Sequence, residues 1–494
     1  MIELAQYPLL TSLLALPLLG ALLAVLSRDA AWARRAALAA ALLTLLASLL
    51  IVVAFDGAQR GFQLIDSARW MPGLNIRYLV GVDGLSLLFL PATALLFCGA
   101  VIAGWRNIQG ATGLYFALLL ILEAATLGVF CALDSILFFF CWELTLLPLY
   151  FLVSLWGVGG WRQTAAVRYF FVMLGGGVPL LFGILLLAFN HAAGGALTFD
   201  LPTLLANSPP RDTQYVVFLL LLVGFGVKVP LIPLHTWLPA LAMGAPAAVT
   251  ALLVGLKLGA YGLIRFVIPL APEAAHDLHW LLAGLGTTAI LYGAVAALAQ
   301  SNLRGVLAYL SLSHVGLVVL GLASFSVSAL QGAVLQLLNF SMAAGGGFLM
   351  LAFLQRRTGS TDIAHLGGVA HRMPLLTSFF LLFGLAGLGM PGTSGFPAEL
   401  LILVAALHTH TGAGLAALFA VVLGAGAFLM PFRSAFLGPV RHADVAAAED
   451  LQSRELLVAL VPAVLLLVFG FYPAPLLELL RPAAEAWVAG VGVF

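Results

Sequence analysis

Six ionisable side chains sit inside runs of Leu, Val, Gly and Phe: Glu123 in "ILEAATLGVF", Glu143 in "FFFCWELTLLPLYF", Lys228 in "GFGVKVPLIPLHTWLP", Lys257 in "LLVGLKLGAYGL", His314 in "AYLSLSHVGLVVLG" and Glu399 in "FPAELLIL". His235 follows Lys228 in the same Pro-rich stretch. An ionisable group surrounded by hydrocarbon costs about 2.5 kcal/mol or more, so each of these positions is a functional candidate. Lys228 and Lys257 are the only lysines in the chain, which gives its ordinary basic surface to arginine. A buried lysine can release its proton, whereas arginine stays charged. Desolvation favours the neutral amine and a nearby carboxylate favours the ammonium. Moving or neutralising Glu143, its natural partner, would therefore switch Lys228 between holding and releasing a proton. Plainer roles stand beside these. A buried Glu and Lys can simply lock helices together. His314, among Ser311, Ser313 and a glycine, can be a hydrogen-bonded packing residue. His235 can cap an interrupted helix as well as hydrate a channel.

The elements that must position these groups are membrane spans. Of 494 residues, 63% are hydrophobic and 8% charged, far from the composition of a soluble domain. A net charge of +1 supplies no basic footprint for neutralising phosphates, which excludes nucleic acid as a partner. Cys98, Cys131 and Cys141 lie singly in apolar runs, without the spacing of a cluster, a zinc site or a redox pair, and read as core residues. His408 and His410 in "LHTHTG" read as an outer loop lacking the further ligands a metal needs. The opening segment has no basic stretch before its apolar run, which favours a retained first span over a cleaved signal.

Runs of spanning length predict about fourteen transmembrane helices in an all-α polytopic protein. Alternate gaps between them collect Arg28, Arg34, Arg35, Arg106, Arg162, Arg168, Arg304, Arg356, Arg357, Arg372, Arg433, Arg441 and Arg454. The remaining gaps hold only Arg60, Arg69, Arg77, Arg211 and Arg481, and Arg265 stays inside a span. That bias places the Arg-rich side inward and both termini on the outer, periplasmic face of a bacterial inner membrane. Two spans are broken at depth by Pro and Gly, at "KVPLIPLHTWLP" and "GLGMPGTSGFPAELLILV". Freed backbone cannot face lipid, so both breaks must be buried or line a wet cavity. They lie five spans apart and cross in opposite directions, as inverted repeats require. The expected divisions are three N-terminal spans over 1–110, a first repeat over 111–270, a second over 279–437, and a C-terminal helix and tail over 438–494.

From about Tyr78 to Arg441 the chain resembles the antiporter-like membrane subunits of respiratory complex I, the subunit M or chain 4 branch of NADH-quinone oxidoreductase. The motifs are "GVDGLSLLF", "FCWELTLLPLYFLVSLWG", "GFGVKVPLIPLHTWLP", "GAYGLIRF", "AYLSLSHVG" and "GMPGTSGFPAELLIL". The resemblance implies two inverted five-helix repeats, each with a broken helix, no redox cofactor in this chain, and a proton path along the middle of the membrane. It makes Glu143 the paired carboxylate, Lys228 the switching lysine, Lys257 the central lysine, His314 a connecting histidine and Glu399 the terminal carboxylate. The expected function is proton translocation in an NADH-quinone oxidoreductase, driven by redox chemistry in partner subunits. Neighbouring antiporter-like subunits, the lipid bilayer, and protons or Na+ are the implied partners. Three departures stand out: Ala240, Leu241 and Ala242 stand where the family usually has Asp, Ala and His after "HTWLP", Phe340 replaces a histidine after Asn339, and Ser301 to Gly305 lack the customary charge cluster. They leave room for a homologous subunit of a cation/proton antiporter, a membrane-bound hydrogenase or an inorganic-carbon uptake complex. A non-pumping scaffold is the third possibility.

Overall fold

The computed structural model describes residues 7–492. Among them, eleven helices are long and apolar enough to cross a membrane, accompanied by shorter apolar helices at Phe89–Gly104, Pro374–Gly387 and Gly395–Thr409. α1 (Leu9–Leu26) and α2 (Ala30–Ala54) lead into a hairpin of β1 (Gln63–Met71) and β2 (Ile76–Val82), then α3 (Phe89–Gly104) and α4 (Thr112–Cys131). α5 (Ser135–Leu144) and α6 (Leu146–Trp156) form one rod, followed by α7 (Arg162–Ala192), α8 (Leu201–Ala206), α9 (Arg211–Lys228), α10 (Trp237–Gly244), α11 (Ala247–Gly255) and α12 (Leu258–Gly262). A π-turn, Leu263–Val267, joins α12 to α13 (Ile268–Leu270). Next come α14 (Pro272–Asp277), α15 (His279–Leu298), α16 (Leu303–Leu322), α17 (Val327–Thr358), α18 (Val369–Arg372), α19 (Pro374–Gly387), α20 (Gly395–Thr409) and α21 (Thr411–Phe436). α22 (Ala443–Ala447), α23 (Ser453–Phe471) and α24 (Ala474–Val491) end the chain.

The helical class holds, and among the described residues the antiparallel hairpin is its one addition. It pairs Ala68 with Tyr78 and turns at Pro72–Leu74, where Asn75 takes a left-handed φ of 54°, a conformation Asn tolerates better than most residues. The loops sort to two ends of the bundle. The hairpin end joins Thr11 to Asp66, Asn75 to Leu197, Arg77 to Asp134 and Arg60 to Glu485. The other end joins Arg34 to Ile108, Trp156 to Gly110 and Arg357 to Glu449. The Arg-poor gaps thus gather at the hairpin end and the Arg-rich gaps at the opposite end.

Three helix breaks lie within the bundle, and each has a side chain from elsewhere on its freed backbone. α9 stops at Lys228 because Pro230 and Pro233 lack the amide hydrogens a helix needs. Trp237 Nε1 donates to the exposed carbonyl of Val227 at 2.8 Å. Between α19 and α20 the chain turns through Gly389 and Gly392, both at positive φ. Asn339 Nδ2 donates to Ala386 O at 3.2 Å, and its Oδ1 accepts from Ser394 Oγ at 2.9 Å. The third break, at Leu256 and Lys257 between α11 and α12, lies in a stretch that reads as one continuous span. Ser341 Oγ donates there to Gly255 O at 3.1 Å. Asn339 and Ser341 both belong to α17, whose middle is buried on every side, so one long helix braces two of the breaks.

Candidate functional site

Lys228 is the last residue of α9, where the negative end of the helix dipole favours an ammonium. Its Nζ donates to Thr145 Oγ1 at 2.7 Å and to Trp142 O at 3.4 Å, and lies 4.0 Å from the centroid of the Trp142 ring. Glu143 is half-buried and turned elsewhere. Its carboxylate rests against Gly177 of α7, where a Cβ would come within 2.3 Å of Oε1. Helical spacing explains this: residues 142 and 145 share a face of the α5–α6 rod, while 143 is rotated about 100° from 142. The expected amine and carboxylate are therefore neighbours across Trp142, and among the described residues Lys228 has no carboxylate within ion-pairing reach.

Lys257 sits in the third break, 9% exposed, and its ammonium points inward to donate to Ser311 Oγ on α16. Lys228 and Lys257 line one cavity of about 40 Å³, together with Thr126 and Thr145. That volume holds a few water molecules, and two hydroxyls and two amines are enough polar groups to bind them.

Beyond Lys257, Ser311 and His314 lie three residues apart on one face of α16. Close contact between α15 and α16 fixes that helix: a Cβ at Gly316 would lie 2.6 Å from Gly286 O, and Ser313 Oγ donates to Ile290 O at 2.9 Å. His314 Nδ1, assigned as the N–H, donates to Leu310 O at 2.6 Å. Nε2 is thereby left as the acceptor, 3.7 Å from Glu399 Oε1. The same Oε1 accepts from Gln336 Nε2 at 3.1 Å. Glu399 is 6% exposed, and Gly389 gives it room, since a Cβ there would lie 2.3 Å from Oε2. Phe340 stands between the two stations, its ring centroid 5.4 Å from Lys257 Nζ and 4.8 Å from that of His314. Cavities of about 30 and 20 Å³ flank His314 on the Phe340 and Glu399 sides.

The remaining candidates stand apart. His235 is buried against Tyr292, ring centroids 4.9 Å apart, with Nδ1 unpartnered, and it makes no capping bond. Glu123 lies deep within α4 and fully buried, both carboxyl oxygens without a protein partner. His410 bonds His279 at the hairpin end, Nε2 to Nδ1 at 2.8 Å. Among the described residues no three His, Cys, Asp or Glu side chains gather as a metal site.

Three features are new at the level of structure. Thr145 and Gln336 hold the ammonium and the terminal carboxylate, yet an uncharged residue in an apolar span gives no signal of its own. Asp83, in "GVDGLSLLF", makes a bidentate pair with Arg265, with Nη1 to Oδ2 at 2.8 Å, inside the π-turn. A lone arginine in a span is a visible anomaly, but its partner lies far off in sequence.

A family described as NADH:quinone oxidoreductase/Mrp antiporter, TM, matches residues 132–424. NADH-quinone oxidoreductase subunit M of Pseudomonas aeruginosa is 37% identical over 431 residues, covering 86% of this chain and 84% of that protein. F(420)H(2) dehydrogenase subunit M of Methanosarcina mazei is 34% identical over 501 residues, covering 98% of this chain and all of that protein. Among solved structures, a chain of respiratory complex I from Thermus thermophilus with bound NADH superposes with a TM-score of 0.90 at 30% identity, covering 98% of this chain and 100% of that one.

Proposed function

Because the chain belongs to the NADH:quinone oxidoreductase/Mrp antiporter family of membrane proteins, we propose that it is the proton-translocating, antiporter-like subunit of a complex I type oxidoreductase. Redox chemistry resides in partner chains, and this chain binds no cofactor of its own. A charge change arriving from a neighbouring subunit acts first on Glu143, at the edge of the bundle, and through it on Lys228. The Lys228 ammonium releases its proton into the cavity shared with Lys257. From Lys257 the proton load passes along Ser311 and water to His314 Nε2 and then to Glu399. The observation that carries this reading is the single cavity holding both lysines. The broken spans belong to two inverted repeats, residues 111–270 and 279–437, and the Arg-rich end faces the cytoplasm, leaving the hairpin end and both termini periplasmic. The test is Glu143→Gln in the assembled complex: proton pumping falls to background while subunit content is unchanged, and normal pumping would refute the scheme.

A second employer is favoured by Phe340. It narrows the polar route between Lys257 and His314, as a subunit serving another donor or another ion would tolerate. Identifying the subunits that co-purify separates these readings: a flavin and iron-sulfur module that oxidises NADH supports the first, and its absence from an intact complex supports the second. Stimulation by Na+ rather than by protons would likewise move the assignment.

A further inference from the structure

We infer that the Arg-rich end of the bundle carries a seat for the phosphate of an anionic phospholipid, between α3, α4, α6, α11 and α17. This goes beyond the translocation reading and does not depend on it. Arg356 Nη1 and Arg357 Nη2 converge on Glu455, which is 1% exposed. Arg106 Nη1 donates to Gln452 Oε1 at 3.1 Å, one helical turn from Glu455, and Arg454 is the neighbour of Glu455 in the chain. Arg34 Nη2 reaches Ile108 O at 3.3 Å on the same corner. A single buried carboxylate thus stands among five guanidinium groups. Asp450 is engaged by the backbone amides of Leu375 and Leu376 at 2.7 and 3.1 Å, and the Glu449 side chain is exposed to solvent. Arg357 is spent on Glu455, Glu449 O and Asp450 O, but Arg34 Nε and Arg454 Nε are buried without a partner.

A pocket of about 370 Å³ opens beside this cluster, lined by Arg106, Asn107, Gln355, Arg356, Tyr115 and Trp156, while Arg34, Arg357, Arg454 and Glu455 stand outside its lining. The Tyr115 hydroxyl, fully buried, has no partner. An arginine-rich face alone is explained by the positive-inside bias and would be solvated. The buried Tyr115 hydroxyl, left unmet in the wall of a cavity that also presents Arg106 and Arg356, is not, because an unpaired buried donor is costly. Arginine pairs geometrically matched to two oxygens suit a phosphate. Depth selects the source: Arg106 follows the end of α3 at Gly104 and Arg356 lies in the last turn of α17, where the apolar stretches stop and headgroups begin. Basic pockets between transmembrane helices at this level are suited to anionic headgroups.

The test uses the purified intact complex in phosphatidylcholine nanodiscs containing a small fraction of phosphatidylglycerol, with retained phosphatidylglycerol counted by native mass spectrometry. Arg106→Gln with Arg356→Gln should weaken retention about thirtyfold. Tyr115→Phe should weaken it several-fold, and Arg433→Gln, at the same end but outside the pocket, should leave it unchanged. If the double variant does not assemble, Tyr115→Phe carries the test. Equal retention in wild type and the pocket variants overturns the proposal, as does displacement of phosphatidylglycerol by millimolar inorganic phosphate, which would make the seat one for a soluble anion.

Discussion

The two carboxylates of the proposed path, Glu143 and Glu399, are held in the same way and left in different states. Each presses its carboxylate against a glycine that has no room for a side chain, Gly177 for one and Gly389 for the other. Glu399 sits deep in the protein with Gln336 and His314 on one oxygen. Glu143 is half-buried at the edge of the bundle, with Oε1 unpartnered and Lys228 bonded to Thr145 instead. A carboxylate with a donor on its oxygen is fixed in place, whereas one with an unmet oxygen is free to respond to a charge brought beside it. On the proposed path the edge site would receive the signal and the deep one would hold the load.

Substituting the two sites in parallel tests this contrast. Glu399→Gln and Glu143→Gln both reduce pumping to background, but only Glu143→Gln should also remove the response of Lys228 to a neighbouring subunit, read as a change in the infrared signature of the lysine during turnover. Gly389→Ala comes next. It needs a left-handed conformation costing about 1–2 kcal/mol as well as space occupied by Glu399, and should cut pumping at least tenfold. Gly177→Ala should cost only about two- to threefold, because the half-buried Glu143 side chain can swing aside; equal losses would dissolve the distinction between edge and deep site.

Thr145→Val removes the 2.7 Å acceptor of Lys228. A hydrogen bond to a charged group is worth about 1.5–3 kcal/mol, so turnover should fall about tenfold or more without loss of assembly. Phe340→His should speed proton transfer between Lys257 and His314, measured as pumping rate at fixed electron flux. An unchanged rate would show that the proton passes by Ser311 alone.

The smallest effect lies outside the membrane. Hydrogen bonds from Tyr215 and Arg211 hold the Asp277 carboxyl below its usual range. A depressed carboxyl contributes stability above its unfolded value and loses it as pH falls through its folded value. Asp277→Asn should therefore flatten the acid limb of thermal stability slightly, below about pH 4, and leave the neutral-pH value within error, because the group is exposed to solvent.

Much of this architecture is legible in the sequence where the cause is local. Pro230, Pro233 and Pro391 announce two breaks because a missing amide acts at its own position. The break at Lys257 is not announced, since no proline interrupts the run and the carbonyl freed at Gly255 is taken by Ser341, far along the chain. The five proposed stations are visible as charges in apolar runs. Their orientation is not: whether Lys228 faces Glu143 or Trp142 depends on a rotation of one residue along α5 and on where α9 ends. The Asp83 and Arg265 pair shows the same limit, for each residue is conspicuous alone and only the fold joins them. The hairpin is short and polar on one side, so it reads as loop until its pairing is seen.

Everything turns on an amine that gives up a proton inside the bundle, and Lys228→Arg in the reconstituted complex addresses that directly. Arginine keeps the positive charge beside Trp142 and Thr145 but cannot release its proton. Electron transfer should continue with assembly intact while proton translocation, followed by a pH-sensitive dye in the vesicle lumen, falls to background. Translocation at the wild-type rate in that variant would show that Lys228 supplies charge rather than protons, and would contradict the proposed path.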